Sequence, residues 1–516
     1  MRNRSFLINF IILTATALLL RVIGIYVSAL LSRHIGAEGL GLYQLIFSVY
    51  IFASALSSSG FSQAVSRMAA EAVESGRPGH LPAIVRQSSA LGVAISAVVA
   101  AALIASSEPI AARFLGDGRA AQPLRIMAAS LPFVAVSACL RGYFVGLRQA
   151  SKSAGSSLFE QLFRLAVTIV LLRAAAPHGI GRACSAVVLA STLAEAASFL
   201  FAYALYRRDR KKRRAPPSPA PGRILGRIAA IALPMATSAT LRTGLRTAES
   251  LLIPAGLRRS GLDAGTALTQ YGVLGGMVMP VLFFPASLLM AISMLIVPEV
   301  ARAAAAGSRR RVVAIASRAV QMTLMMSLLA AAVFAVFSEE LTVALYGNRA
   351  AGRVLRMLAP LVPLLYLDHV VDAMLTGLNE QMKTLQYNTA DSALRLAMIV
   401  TLTPLWGMNA YIATLFVSTI FNAGLSIRRL LRVSGLTIRA ADWVIKPMLA
   451  ALLSAVLASL FFRMAFPGLT GPGAIVAAQT ALTALLYTGL LAVSGCIGRA
   501  DIAWMAGFFK RAGADR

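Results

Sequence analysis

The sequence predicts an all-α integral membrane protein with about 14 transmembrane helices: two parallel six-helix lobes related by a pseudo-two-fold along the membrane normal, plus two C-terminal helices. Three observations lead there. The 516 residues are 58% hydrophobic and 13% charged, with a mean hydropathy of +0.75, whereas a soluble domain is about 45–50% apolar and roughly 25% charged. The apolar residues fall in long Ala/Leu/Val/Ile runs without the period-two alternation of a membrane barrel. The chain also matches itself at a shift of 231 residues.

The spans follow in order. The start, MRNRSFLINFIILTATALLL, is too long an apolar run for a cleaved leader and has no clean small-residue site after it, so it is read as a retained first span, about 6–32. Further runs lie at about 40–65, 87–107, 122–147, 156–175, 182–206, 228–257, 268–297, 313–337, 353–377, 388–405, 409–431, 443–465 and 473–494, each near the ~20 residues that a crossing helix needs. Gly24, Gly36, Gly39 and Gly41 flank the first loop, and Pro234, Pro280, Pro285 and Pro298 punctuate the seventh and eighth spans. An internal proline frees a carbonyl and permits a bend. Cys139, Cys184 and Cys496 sit in or beside apolar runs at no metal-ligand spacing and read as packing residues.

Lys and Arg number 49 against 20 Asp and Glu, a net charge of +29. In a membrane protein this first means cationic cytoplasmic loops rather than nucleic acid. An even number of spans puts both termini on one side. With both termini cytoplasmic, the inner loops collect roughly 31 of the 49 cations. The block RRDRKKRRAPPSPAPGR, 207–223, is basic and then Pro-rich. It reads as a cytoplasmic linker, 207–227, lying against anionic lipid headgroups. The expected organisation is an N-lobe 1–206 (helices 1–6), that linker, a C-lobe 228–432 (helices 7–12), helices 13–14 over 443–494 and a cytoplasmic tail 495–516.

The internal match supports those lobes. Residues 107–166 align without gaps on 338–397 with 14 identities in 60 positions. Ser107 and Glu108 meet Ser338 and Glu339; Arg125, Pro132, Gly146-Leu147 and Lys152 meet Arg356, Pro363, Gly377-Leu378 and Lys383; Arg164-Leu165-Ala166 meets Arg395-Leu396-Ala397. The matched segments are the fourth and fifth spans against the tenth and eleventh. A unit of six spans preserves orientation, which makes the halves parallel. Such halves commonly enclose a central transport cavity.

Ionisable groups inside spans cost about 2.5–3.5 kcal/mol at the bilayer centre on insertion scales and usually face a cavity or a partner. Arg242, Arg246 and Glu249 share one helical face at i, i+4, i+7, and Arg21 stands mid-span in LLLRVIG. Forked, permanently charged guanidinium groups suit a phosphate-bearing substrate. Arg21, Arg242, Arg246 and Glu249 are therefore the candidate central-cavity residues. Glu160/Arg164 and Asp391/Arg395 occupy equivalent repeat positions and read as i, i+4 helix pairs. Asp368 and Asp372 share a face in LDHVVD, and Asp372 corresponds to Arg141 across the repeat. These three are read as an inter-lobe latch or a coupling site for a proton or cation. No metal site and no cofactor are expected, and no Gly-rich phosphate-binding Lys motif occurs.

Three stretches carry a resemblance. LLLRVIGIYVSALLSRHIGAEGLGLYQLIFSVY (18–50), RGYFVGLRQASKSAGSSLFEQLFRLAV (141–167) and YLDHVVDAMLTGLNEQMKTLQYNTADSALRLAMIVTLTPLWGMNAYI (366–412) resemble the polysaccharide flippase branch of the multidrug/oligosaccharidyl-lipid/polysaccharide superfamily. The third is most similar to its sporulation members. The resemblance implies fourteen helices, alternating access and no enzymatic step. It implies an undecaprenyl-pyrophosphate-linked saccharide as cargo, with lipid II for spore-cortex or cell-wall peptidoglycan foremost, in the cytoplasmic membrane. It also implies peptidoglycan synthesis machinery as a partner and a tail groove formed by the last two helices. Arg21 matches a cavity arginine of the branch, whereas Val27 and Gly275 stand where further arginines are expected, which leaves Arg242 and Arg246 as the substitutes. A multidrug or cation antiporter would favour acids in the first three spans, whose cores hold none. A membrane enzyme would need clustered carboxylates or His, and only LDHVVD comes near.

Overall fold

The computed structural model describes residues 2–213, 224–465 and 472–496. These residues are overwhelmingly helical. The helices are α1 (Arg2–Ser58), α2 (Phe61–Glu74), α3 (Leu81–Ala105), α4 (Ala121–Ala128), α5 (Leu131–Gly146), α6 (Ala150–Ala175), α7 (Ile180–Arg213), α8 (Ile224–Arg259), α9 (Ala264–Gly272), α10 (Ala286–Ala305), α11 (Arg309–Val336), α12 (Ser338–Tyr346), α13 (Arg349–Leu358), α14 (Val362–Gly377), α15 (Gln381–Ser434), α16 (Lys446–Ala465) and α17 (Pro472–Val493). Among the described residues, nine helical stretches are long and apolar enough to cross a membrane, or ten when the pair 118–128 and 131–146, bent by 45°, counts as one span. The chain is a multi-pass membrane protein.

Two of these stretches hold two expected spans each, which is consistent with the count of fourteen. Helix α1 is broken at Gly36 (φ 69°, ψ −174°) and α15 at Gly407 (φ 60°, ψ −138°). A positive φ costs a residue with a Cβ about 1–2 kcal/mol, so glycine is the residue that lets the helix break here. Pro404 precedes the second break by three residues and has no N–H for the helix ladder. The eighth span is irregular: α9 passes through a π-helical turn, Val273–Val278, and a short turn, Met279–Leu282, before α10. Asp263 opens it, its Oδ2 accepting the Thr266 N–H at 2.9 Å. The Thr266 hydroxyl and N–H hold that carboxyl below the usual range.

The helices form two compact units. The continuous unit is His34–Gly272; the split unit is Met1–Arg33 with Val273–Arg516. This division departs from the lobes 1–206 and 228–432. The first span packs with the second half of the sequence, and the seventh with the first half.

In the continuous unit the core joins α2, α3, α5, α7 and α8, with Phe61, Met68, Ile84, Tyr143, Tyr206 and Ile228 buried together. A Cβ on Gly142 or Gly146 of α5 would stand 2.4 Å from the carbonyl oxygen of Ser62 or Ser66 on α2. This small-residue spacing brings the two backbones together, the usual route to tight helix pairing in a membrane. In the split unit, Tyr366 is fully buried and donates to the Leu282 carbonyl.

The internal repeat is visible in backbone geometry. Among the described residues, the two non-glycine residues with positive φ are Arg148 (57°) and Asn379 (63°), which are 231 positions apart. Both follow the α5/α14 helix end, where Gln149 N–H bonds Phe144 O and Glu380 N–H bonds Leu375 O, each at 2.8 Å. Arg125 donates to Ser107 and Glu108 at 2.8 and 2.6 Å. Arg356 donates to Ser338 at 3.2 Å and stands 3.7 Å from Glu339.

The basic block 207–227 is in part not a linker. Helix α7 continues through Arg207 to Arg213, and α8 begins at Ile224. The Pro-rich remainder, 214–223, and all of the expected tail beyond Cys496 lie outside the described residues.

Candidate functional site

The second part of α1 follows the break at Gly36, and Thr247 Oγ1 of α8 donates to the Ser48 carbonyl at 2.9 Å, fixing α8 beside it. A cavity of about 450 Å³ opens between these helices, within the continuous unit. Gln44, Ser48, Thr243, Ser250 and Tyr271 supply amide and hydroxyl groups to its wall. Arg242 and Arg246 line it too, both exposed, and Arg242 makes no ion pair among the described residues. Glu249 is half-buried on the same helix. Phe47 faces the cavity from the middle of an aromatic row, 5.8 Å from Tyr43 and 6.1 Å from Tyr50 between ring centroids. Two fixed positive charges one turn apart, ringed by neutral hydrogen-bonding groups, can hold a di-anion and its polar substituents.

Arg21 belongs to the split unit, so the four expected cavity residues divide between the two units. Arg21 Nε is buried with no hydrogen-bond partner among the described residues. The same unit holds an apolar groove of about 880 Å³. Val22 and Tyr26 of α1, Met326 and Val333 of α11, and Val476 and Ala484 of α17 are part of its wall. Arg33 closes one side: its Nη2 donates to the carbonyls of Ala344 and Leu345 at 3.2 and 3.4 Å. Ser32 Oγ donates to Tyr346 O at 3.4 Å. These carbonyls end α12, where a helix lacks its own donors and favours a cation.

The two acids of LDHVVD lie in a polar network of the split unit. Asn422 Nδ2 donates to Asp368 Oδ2 at 2.9 Å and to Asn388 Oδ1 at 3.1 Å. Asn388 Nδ2 donates to Asp372 Oδ2 at 3.2 Å, and Ser426 Oγ to Asp372 Oδ1 at 3.3 Å. Asp368 Oδ1 and Asn422 Oδ1 are buried without hydrogen-bond partners among the described residues. Arg141 belongs to the other unit. His369 is exposed and stacks with Phe283 at 6.1 Å. No group of three or more metal-ligating side chains occurs among the described residues.

The helix pairs have ion-pair geometry. Arg164 Nη2 is 2.7 Å from Glu160 Oε1, and 3.5 Å from Glu195 Oε1 on α7. Arg395 Nη2 is 2.7 Å from Asp391 Oδ2, and Ser418 Oγ donates to Asp391 Oδ1 at 2.5 Å. Sequence reasoning missed the amide and hydroxyl wall around Arg242 and Arg246, because neutral polar residues in spans carry no signal beyond their register. It also missed the asparagines beside Asp368 and Asp372, and Asp209. The last had a signal: it is the one acid in the run RRDRKKRR.

Three comparisons bear on this arrangement. Residues 6–222 match the model of the polysaccharide biosynthesis protein family. Stage V sporulation protein B of Bacillus subtilis (strain 168) is 25% identical over 383 residues, 73% of this chain and 74% of that protein. Among solved structures, the lipid II flippase MurJ in an inward closed conformation matches with a TM-score of 0.70 at 13% identity, covering 94% of this chain and 98% of that one. An inward-facing multidrug resistance transporter of the MATE family matches with a TM-score of 0.59 at 16% identity, covering 82% and 96%. The chain has the fold of these transporters, and its sequence is similar to the polysaccharide biosynthesis protein family over residues 6–222 and to stage V sporulation protein B.

Proposed function

We propose that this protein is a flippase that moves an undecaprenyl-pyrophosphate-linked saccharide across the cytoplasmic membrane by alternating access of two lobes, with lipid II, for spore-cortex or cell-wall peptidoglycan, as the cargo to test first. The observation that carries the reading is the pair Arg242 and Arg246, both exposed in a polar cavity. Their forked donors suit a diphosphate, and the neutral amide and hydroxyl wall suits sugar. The apolar groove, bordered by the last helix, supports the reading with a place for a prenyl chain. The names of the relatives point the same way. Nothing in this reading calls for chemistry on the cargo or for a cofactor.

Arg21 contributes a further cation from the first span. The Asp368–Asp372 network serves as the site where a proton or cation is coupled to the cycle. Both termini are cytoplasmic, where the loops are richest in Lys and Arg. The acidic network also favours a second reading, a cation-coupled antiporter of the same superfamily; another lipid-linked polysaccharide unit is the alternative cargo.

Native mass spectrometry of the purified protein with lipid II and with a neutral lipid separates these. Selective lipid II binding is expected, with a loss of at least tenfold in Arg242→Ala/Arg246→Ala, since hydrogen bonds to charged groups contribute about 1.5–3 kcal/mol each. Asp372→Asn is expected to keep binding and to lose transport in vesicles. Absence of lipid II preference in the folded protein would shift the assignment to another lipid-linked glycan or to the antiporter. Preference that survives in the double variant would remove the cation pair from the site.

A further inference from the structure

Helix α13 opens the spanning stretch Arg349–Gly377 and has two unlike faces. Ala351, Gly352, Leu355 and Leu358 are buried. Arg349, Arg353 and Arg356 recur at i, i+4, i+7 on the other face, and all three are exposed. Arg356 is tied down by Ser338 and Glu339. Arg349 and Arg353 make no ion pair among the described residues.

The internal repeat separates these arginines. Arg356 has its counterpart in Arg125, which binds Ser107 and Glu108 in the same way. The counterparts of Arg349 and Arg353 are Gly118 and Gln122. The other copy of the element has Arg125 and, at its start, Arg119, which is held by Asp117 and Glu38, but no cation at the positions of Arg349 and Arg353, so these two answer to something other than folding.

Their height in the membrane follows from length. The stretch Arg349–Gly377 is 29 residues, about 43 Å at 1.5 Å per residue. A hydrocarbon core is ~30 Å thick, or about 40–45 Å with headgroups. The last ~20 residues of the stretch fill the core. That leaves α13 among the headgroups, with Met357, 54% exposed, beside the arginines.

We propose that the Arg349–Arg353 face of α13 docks on anionic phospholipid headgroups of the surrounding bilayer. Charge complementarity selects this occupant: two guanidinium groups that make no ion pair among the described residues, held at phosphate height, match phosphodiesters that carry a net negative charge. Zwitterionic lipid offers no such net charge.

A local reporter tests it. Met357→Trp in the full-length protein, reconstituted in vesicles, is quenched by dibrominated phosphatidylglycerol or dibrominated phosphatidylcholine at equal fraction, with the signal of the protein lacking the reporter subtracted. Stronger quenching by phosphatidylglycerol is expected, and the preference should weaken at high salt. Each arginine contributes about fivefold to the local preference. Arg349→Gln/Arg353→Gln is expected to lose it, and Arg349→Lys/Arg353→Lys to keep most of it. Equal quenching by the two lipids in the protein with both arginines would overturn the proposal. So would a preference unchanged in the Gln double variant; should that variant fail to fold, the intact-stripe comparison and its salt dependence decide.

Discussion

Asp209 is buried at the end of the sixth span, its side chain 6% exposed. Its carboxylate accepts from Tyr143 Oη at 2.7 Å, Lys152 Nζ at 2.9 Å, Gln149 Nε2 at 3.3 Å and Arg213 Nε at 2.8 Å. Lys152 also stands 5.4 Å over the Phe144 ring. One acid thus gathers donors from α5, the 147–149 turn, α6 and α7 itself, which explains why the basic run stays helical to Arg213. Removing it strands a buried hydroxyl and two cations. Asp209→Ala is expected to lower stability by about 2–4 kcal/mol, and Asp209→Asn by less, because the amide still accepts one bond. Thermal unfolding in detergent reads this directly, and an unchanged midpoint in Asp209→Ala would mean the cluster is incidental. The sequence made the acids one turn before Arg164 and Arg395 legible, because i, i+4 spacing is a local rule. It marked Asp209 only as the one acid of RRDRKKRR and left its donors illegible, because they lie 57 to 66 positions away apart from Arg213.

Among the elements, long apolar runs located the spans well, and proline and glycine marked where they bend. What the runs did not disclose is how they are subdivided. The fourth span is two helices meeting at 45°, and the eighth is interrupted by a π-helical turn; hydropathy is blind to both, since neither changes the apolar count. The closeness of α2 and α5 was equally hidden, because a glycine in a span reads the same whether it faces lipid or another backbone. The structure distinguishes them. Gly146→Ala would push a methyl against Ser66 O and is expected to cost about 1–3 kcal/mol. Gly155→Ala in α6 meets nothing within 4 Å and is expected to be neutral or to stabilise by about 0.5–1 kcal/mol. Unfolding of the two variants side by side checks the pair, and equal costs would refute the close-contact account.

For the whole molecule, the repeat was legible from the 107–166 and 338–397 alignment, and Arg148 and Asn379 carry it into the backbone. The boundaries of the compact units were not legible. A repeat records ancestry, whereas a unit records which helices touch, and the first and seventh spans separate the two. The split at 33/34 and 272/273 has a consequence for synthesis. The continuous unit begins and ends at one place: a Cβ on Gly41 would lie 2.1 Å from Leu268 O, and one on Gly272 2.0 Å from Ala37 O. Adjacent ends are what an inserted domain needs, so residues 34–272 are complete as soon as they leave the ribosome. An arrest-peptide force profile is expected to show one folding event soon after residue 272 emerges and another only as the second half is made. A single event near the end of the chain would contradict this. The N-terminal helix is translated first, yet it waits in the bilayer through the making of an entire other unit before the helices it packs against exist.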